Sequence, residues 1–244
     1  MSENIDALIA LWPRFADGIV ATLQLTIGGS VLALLLAALL GITARQPNVL
    51  ARGAARVFIE FFRGTSLLVQ LFWFFYVLPL FFPDLFDNRE VAGLIAGIVA
   101  LGLNYGAYGA EVVRGALNSV PKGQWEASIA LSLSPTRRMF RIIWPQAWAI
   151  MLPSLSNLGI MLLKGTAVAS VVYMQDITFI GGVLRQRTND TFFSYGVTMV
   201  MYFVIAYVLV LIANALEVRA KRRLGMAPAG TSIFRPSAAK TGVS

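Results

Sequence analysis

The sequence predicts an all-α, polytopic membrane bundle of five transmembrane helices, with the N-terminus outside and the C-terminus in the cytoplasm. Three observations lead there. Of 244 residues, 57% are hydrophobic and only 13% charged, about half the charged share that covers a water-soluble domain. Five stretches free of charged residues run from Gly18 to Ala44, Gly64 to Pro83, Val91 to Ala110, Ile142 to Leu163 and Thr191 to Leu216, each long enough to cross the hydrocarbon core as a helix. These runs are continuously apolar, without the alternation of a barrel strand, and an open sheet cannot satisfy its backbone in lipid.

Each element follows in order. Residues 1–17 form an outer segment in which Ile5, Leu8, Ile9 and Trp12 keep helical spacing up to Pro13, which suits a short interfacial helix or a simple lead-in to the first span. Glu3 and Asp6 stand where a cleaved leader would carry positive charge, so the mature chain is expected to keep its start. A single transmembrane domain, 18–224, then holds spans near 18–44, 60–83, 91–114, 142–175 and 191–217. One long connection, 115–141, joins the third and fourth. The tail 225–244, rich in Ala, Pro, Ser and Gly, is expected to be mobile.

Charge placement sets the orientation. Arg45, Arg52 and Arg56 follow the first span; Arg114, Lys122, Arg137, Arg138 and Arg141 follow the third; Arg219, Lys221, Arg222 and Arg223 leave the fifth. Only Arg14, Arg89, Arg185 and Arg187 lie on the other face, and basic residues accumulate on the cytoplasmic side. The same distribution, bracketing spans instead of forming one stripe, argues against a nucleic-acid partner despite the net charge of +8. With no Cys and no His, the composition excludes disulfide frameworks, thiol nucleophiles, His-based acid–base catalysis and the usual zinc sites. No Gly-rich loop with Lys-Ser or Lys-Thr cradles a nucleotide phosphate.

The connection between the third and fourth spans carries two helix signals. Trp125, Ile129 and Leu133 recur at i, i+4 and i+8, an apolar stripe on a short helix parallel to the membrane. Ser134-Pro135-Thr136 then supplies an N-cap followed by Pro at the first helical position. A surface hairpin closing the bundle would read this way, and so would a stripe that needs a partner.

Glu126-Ala127-Ser128, Ser132, Ile142, Trp144 and Pro145 keep the spacing of the cytoplasmic signature of ABC importer permeases, and the segment resembles it without a gap. Arg63-Gly64-Thr65-Ser66-Leu67-Leu68-Val69-Gln70, Asn104-Tyr105-Gly106-Ala107-Tyr108, Glu111 with Arg114, Gly123-Gln124 and Pro145-Gln146-Ala147 resemble the polar amino-acid branch of that family, the histidine, glutamine and arginine type, with a compatible-solute (ectoine-type) member as a narrower variant. The resemblance implies a type I ABC importer permease fold and a non-catalytic subunit of the bacterial inner membrane. It implies alternating access, coupled through loop 123–138 to a pair of ATP-binding subunits that hold ATP and Mg, while this chain binds no cofactor. It further implies a second permease, identical or related, and an extracytoplasmic solute-binding protein. An ATP-independent secondary transporter or channel is the alternative.

Several positions depart from the pattern. Ser128 replaces the second Ala of the signature, Ser132 its Gly and Trp144 its Leu; Ser66 stands where the branch has Pro, and Gly165 where it has Asp. The family's Gly allows a left-handed turn, in which Ser costs on the order of 1 kcal/mol. Loss of the Pro is expected to remove a fixed kink from the second span.

The residues expected to couple to the ATPase are Gln124, Trp125, Glu126, Ala127, Ser128, Leu131, Ser132 and Arg137, with Glu126 as polar anchor and Trp125 and Leu131 filling either the partner's groove or the underside of the bundle. Lys164, Asn157, Asn104, Tyr105 and Gln70 are candidates for the substrate path or for bonds between helices. A cation as deep as Lys164 needs a substrate carboxylate or an internal acid such as Glu60 or Glu111. Glu60 with Arg63 and Glu111 with Arg114 have the i, i+3 spacing of pairs along one helix face. Gly28-Gly29-Ser30 and Gly102, Gly106 and Gly109 suit close helix packing and mark a candidate dimer interface.

Overall fold

In the computed structural model, which describes residues 2–83, 88–172 and 174–223, the chain is a bundle of helices with no strand among the described residues. We number them α1 (Ser2–Thr43), α2 (Val49–Gly64), α3 (Leu67–Phe81), α4 (Arg89–Ser119), α5 (Lys122–Ala130), α6 (Pro135–Val172), α7 (Ile177–Thr188) and α8 (Thr191–Arg223). α1, α4, α6 and α8 are each long and apolar enough to cross a membrane, and α2 and α3, bent at a short break, pass the same test together as a candidate fifth span.

The first helix joins the N-terminal segment to the first span, the lead-in of the two expected forms. It runs unbroken through Pro13, and its packed face is Leu11 and Phe15, buried against Ile177, Ile180 and Leu184 of α7. Ile5, Ile9 and Trp12, read as one stripe with Leu8, are exposed. The tail 225–244 lies outside the described residues.

The glycines pack within the chain. A Cβ at Gly102 of α4 would lie 2.5 Å from Leu32 of α1, and one at Gly109 would lie 2.8 Å from Ala37. The small residues therefore bring α1 and α4 into backbone contact and do not supply the dimer face for which they were candidates.

The second span is the largest departure. α2 begins eleven residues before the expected start at 60, because Asn48 caps it, its side chain accepting from the Leu50 and Ala51 amides. Arg52, Arg56 and Glu60 interrupt the apolar run without interrupting the helix. Thr65 and Ser66 are extended, and α3 leaves at 101° to α2. The bend thus survives without the proline.

Its cause is polar. A break at 65–66 orphans the carbonyls of Phe62 and Arg63, whose i+4 amides no longer face them. The Gln70 amide and the Asn104 amide both donate to Phe62 O at 3.0 Å, and the Tyr108 hydroxyl donates to Arg63 O at 3.3 Å. Three side chains from α3 and α4 replace the lost helix bonds, as a break in a membrane helix requires.

Farther along, α6 opens at Ser134, whose side chain accepts from the Arg137 amide, with Pro135 in the first turn. A π-turn at Met139–Ile143 precedes Trp144-Pro145, and the helix tightens to 3-10 form over Thr166–Val172.

Candidate functional site

The connection between α4 and α6 protrudes from the basic end of the bundle. α5 is anchored on one side only. Trp125 is half-buried against Val113, Ala116 and their neighbours, and Ser128 is 1% exposed, its hydroxyl donating to Trp125 O at 2.6 Å. Arg45, just past α1, lays its guanidinium 5.0 Å from the centre of the Trp125 ring, a cation–π contact. Burial pulls the Arg45 pKa below its ordinary value, although a guanidinium stays charged at working pH. From α6, Gln146 donates to the Gln124 side chain at 3.4 Å and to Ile142 O at 3.0 Å.

The opposite face of α5 is free. Gln124, Glu126 and Ala127 are exposed, as are Ile129 (59%) and Leu131 (71%). The expected stripe of Trp125, Ile129 and Leu133 is therefore corrected: Trp125 and Ser128 face the bundle and Ile129 faces away. Leu131, considered for either filling role, points out as well. Ser128 is the buried residue of α5, and its small side chain lets the helix lie close to the bundle.

The helix ends as the spacing suggested. Ser132 is left-handed at φ 53°, its amide donating to Ile129 O at 2.8 Å while the Leu133 amide donates to Ser128 O at 3.2 Å. That pair of bonds is a Schellman motif with Ser where Gly is usual. Arg137 is exposed in the first turn of α6. Among the described residues, Glu126 has no ion-pair partner.

The five path candidates divide. Gln70 and Asn104, each 6% exposed, are committed to the break between α2 and α3, and Gln70 also donates to the Thr65 hydroxyl at 2.6 Å. Tyr105 ties α4 to α6 through its hydroxyl, which donates to Met161 O at 2.9 Å. A Cβ at Gly165 would lie 2.7 Å from that hydroxyl, so the phenol occupies the room in which the family's Asp would begin. Lys164 and Asn157 instead lie exposed on one face of α6, with Met161 between them. Neither Glu60 nor Glu111 reaches Lys164: Glu60 pairs with Arg63 at 3.3 Å, and Glu111 accepts from Arg114 Nε at 3.0 Å.

Sequence reasoning missed a buried acid at the other end. Asp176 is fully buried and caps α7, accepting from the Phe179 amide at 2.9 Å and from the Tyr202 hydroxyl of α8 at 3.0 Å. Tyr202 also meets Thr178 at 3.2 Å and Thr166 at 3.4 Å. Desolvation pushes the Asp176 pKa up, since no cation offsets the charge. An Asp directly before an apolar helical run was the available signal.

Comparison with known proteins adds the following. The family model described as a binding-protein-dependent transport system inner membrane component matches residues 29–225. The probable amino-acid ABC transporter permease protein y4tF of Sinorhizobium fredii is 42% identical over 177 residues, 72% of this chain and 74% of the relative. The L-cystine transport system permease protein TcyB of Bacillus subtilis is 32% identical over 87% of this chain and 89% of its own length. Among solved structures, that of an amino acid ABC transporter with histidines matches with a TM-score of 0.76 at 29% identity, over 87% of this chain and 96% of that one.

Proposed function

This chain belongs to the family of binding-protein-dependent transport system inner membrane components, a multi-pass permease subunit of an ATP-driven importer, and from that premise we propose that it moves a polar amino acid or related zwitterion inward by alternating access. ATP is hydrolysed by a partner subunit, and the ATP-independent transporter or channel considered from the sequence falls away. The amino-acid assignment rests on the relatives, two of which are named for amino-acid or cystine transport.

The observation that carries the mechanism is the one-sided anchoring of α5. Trp125 and Ser128 hold the helix to the bundle, while Glu126, Ala127, Ile129 and Leu131 form a free face with an apolar patch and one unpaired carboxylate. Such a face docks in a groove on the ATP-binding subunit, with Glu126 meeting a basic group there; loop 123–138 then carries the closing of the ATPase pair, with its ATP and Mg, into α4 and α6. The basic ends of α1, α4 and α8 gather at this side of the bundle, which supports a cytoplasmic placement for it and an external N-terminus.

For the cargo, Lys164 and Asn157 are the groups left with bonds to give. A lysine in a membrane helix costs at least ~2.5 kcal/mol unless paired or hydrated. The exposed face of α6 supports a path lined by this chain and a second permease, in which Lys164 receives the cargo carboxylate.

Two variants in the reconstituted importer separate the claims. Glu126→Lys is expected to lose the ATP-binding subunit in a pull-down while the permease stays folded, and Lys164→Met is expected to keep assembly and basal ATPase but lose uptake. Full assembly and uptake by both variants would overturn the reading.

A further inference from the structure

One face of α8 is packed along the helix, half-buried at Ile205, Leu209 and Ala213. Ser194 and Thr198, near its start, are buried, and its neighbours there belong to α1 and α7. From Phe203 onward its large apolar residues, including Val204, Tyr207, Leu211 and Ile212, are largely exposed. Between this helix, α1 and α6 lies a wedge of open space.

Three cavities line that wedge and share walls. One of about 230 Å³ is lined by Leu34, Tyr105, Leu152, Leu155 and Leu162 with Gly159. A second, about 300 Å³, continues along Ile160, Leu209 and Ile212. The third, about 730 Å³, opens at the basic end between Trp144, Trp148 and Arg219, and Leu216 borders all three. Arg219 is the only charged residue among these walls, and among the described residues it has no ion-pair partner.

We propose that this wedge binds one anionic phospholipid, its acyl chain between α8, α1 and α6 and its phosphate at Arg219. The chemistry is graded along the groove: aliphatic at depth, then two indoles at the level where tryptophans sit against headgroups, then an unpaired guanidinium suited to a phosphate. A zwitterionic lipid offers the same phosphate but sets its own ammonium beside the guanidinium, so an anionic headgroup is the better match. A second copy is the poorer occupant, because two permeases side by side about an axis along the membrane normal would bring Arg219, Lys221 and Arg222 of both exit helices together. The role follows from geometry, since the lipid would fill the open space between α8, α1 and α6.

The test uses the full chain in detergent, with native mass spectrometry against dioleoyl phosphatidylglycerol and dioleoyl phosphatidylethanolamine of equal concentration. The wild type is expected to retain phosphatidylglycerol preferentially. Arg219→Gln is expected to cut that retention roughly fivefold, the worth of one basic contact at a lipid surface, with phosphatidylethanolamine falling by less and Arg222→Gln less affected. Gly159→Leu is expected to lower retention of both lipids; its added side chain meets no neighbouring atom within 4 Å of the Cβ, so it enters the wedge without displacing the fold. Equal losses in Arg219→Gln and Arg222→Gln, or full retention in Gly159→Leu, would overturn the proposal. So would displacement of the bound lipid by inorganic phosphate, which would mark a free-anion site, or disulfide cross-linking of Leu216→Cys between two permeases in the assembled importer, which would mark a subunit interface.

Discussion

Replacing Arg45 by alanine removes the guanidinium that lies 5.0 Å from the Trp125 ring and leaves α5 held by the indole, Ser128 and Gln146. A cation–π contact is worth about 0.5–1 kcal/mol at an exposed site and about 2 when desolvated; Arg45 is half-buried, so about 1 kcal/mol is expected. That corresponds to roughly a fivefold shift from docked to undocked α5. Trp125→Ala, which removes a half-buried indole, should cost about 2 kcal/mol, below the range for a fully buried aromatic. Hydrogen exchange reads the docking directly: the amides of α5 should exchange about fivefold faster in Arg45→Ala, while those in the middle of α4 keep their protection. In the reconstituted importer, the ATPase activity stimulated by binding protein should fall while basal hydrolysis by the ATP-binding subunits persists. A double-mutant cycle isolates the contact, with an expected coupling near 1 kcal/mol. Additivity of Arg45→Ala and Trp125→Ala within ~0.3 kcal/mol, or unchanged exchange across 125–130, would refute the clamp.

Three further outcomes follow from local geometry. Gly165→Asp should destabilise the bundle by about 1–3 kcal/mol through overpacking, and Tyr105→Phe, which removes the hydroxyl 2.7 Å from the new Cβ, should recover part of the loss in a thermal unfolding comparison. Ser132→Gly should raise stability by up to about 1 kcal/mol, because glycine adopts the left-handed turn without a Cβ penalty; an unchanged midpoint would show that the Ser is not strained there. Asp176 should impose a pH slope on stability. Its folded pKa is raised, so the folded chain holds a proton that the unfolded chain has released: stability is full below the unfolded carboxyl pKa and declines as pH rises through the folded one. Asp176→Asn should flatten that slope when thermal unfolding is followed across pH, and a slope identical to wild type would count against the buried carboxylate as its source.

The spans were legible because charge-free length is a strong signal, and the turn at Ser132 and the start at Ser134-Pro135 were legible because caps are local. α2 was hidden by its own amphipathicity: Arg52, Arg56 and Glu60 looked like a connection, although the helix buries Ala55 and Ile59 on its other side. The stripe Trp125–Ile129–Leu133 failed because its last member lies beyond the left-handed residue that ends the helix, so helical spacing no longer applied. The buried residue of α5 is a serine, which no hydrophobic pattern reports. Gln70 and Asn104 were recognised as polar groups inside spans, yet their task depended on carbonyls freed by a break at Ser66, where no proline marks one. Gly165 read as an absence, and only the Tyr105 hydroxyl, sixty residues away, gives it a reason.

Because α8 is buried most deeply near Ser194 and Thr198 and only half-buried on one face beyond Phe203, it has the mechanics of a lever with its fulcrum at one end. Some 24 residues separate Thr198 from Arg222, an arm of about 36 Å. A tilt of about 5° at the fulcrum would sweep the far end by about 3 Å, the scale of a side-chain contact made or broken. The Tyr202 hydroxyl, bonded to Asp176 one turn from that fulcrum, grips the short end. Small changes in how α7 seats there would thus be amplified at the basic end of α8.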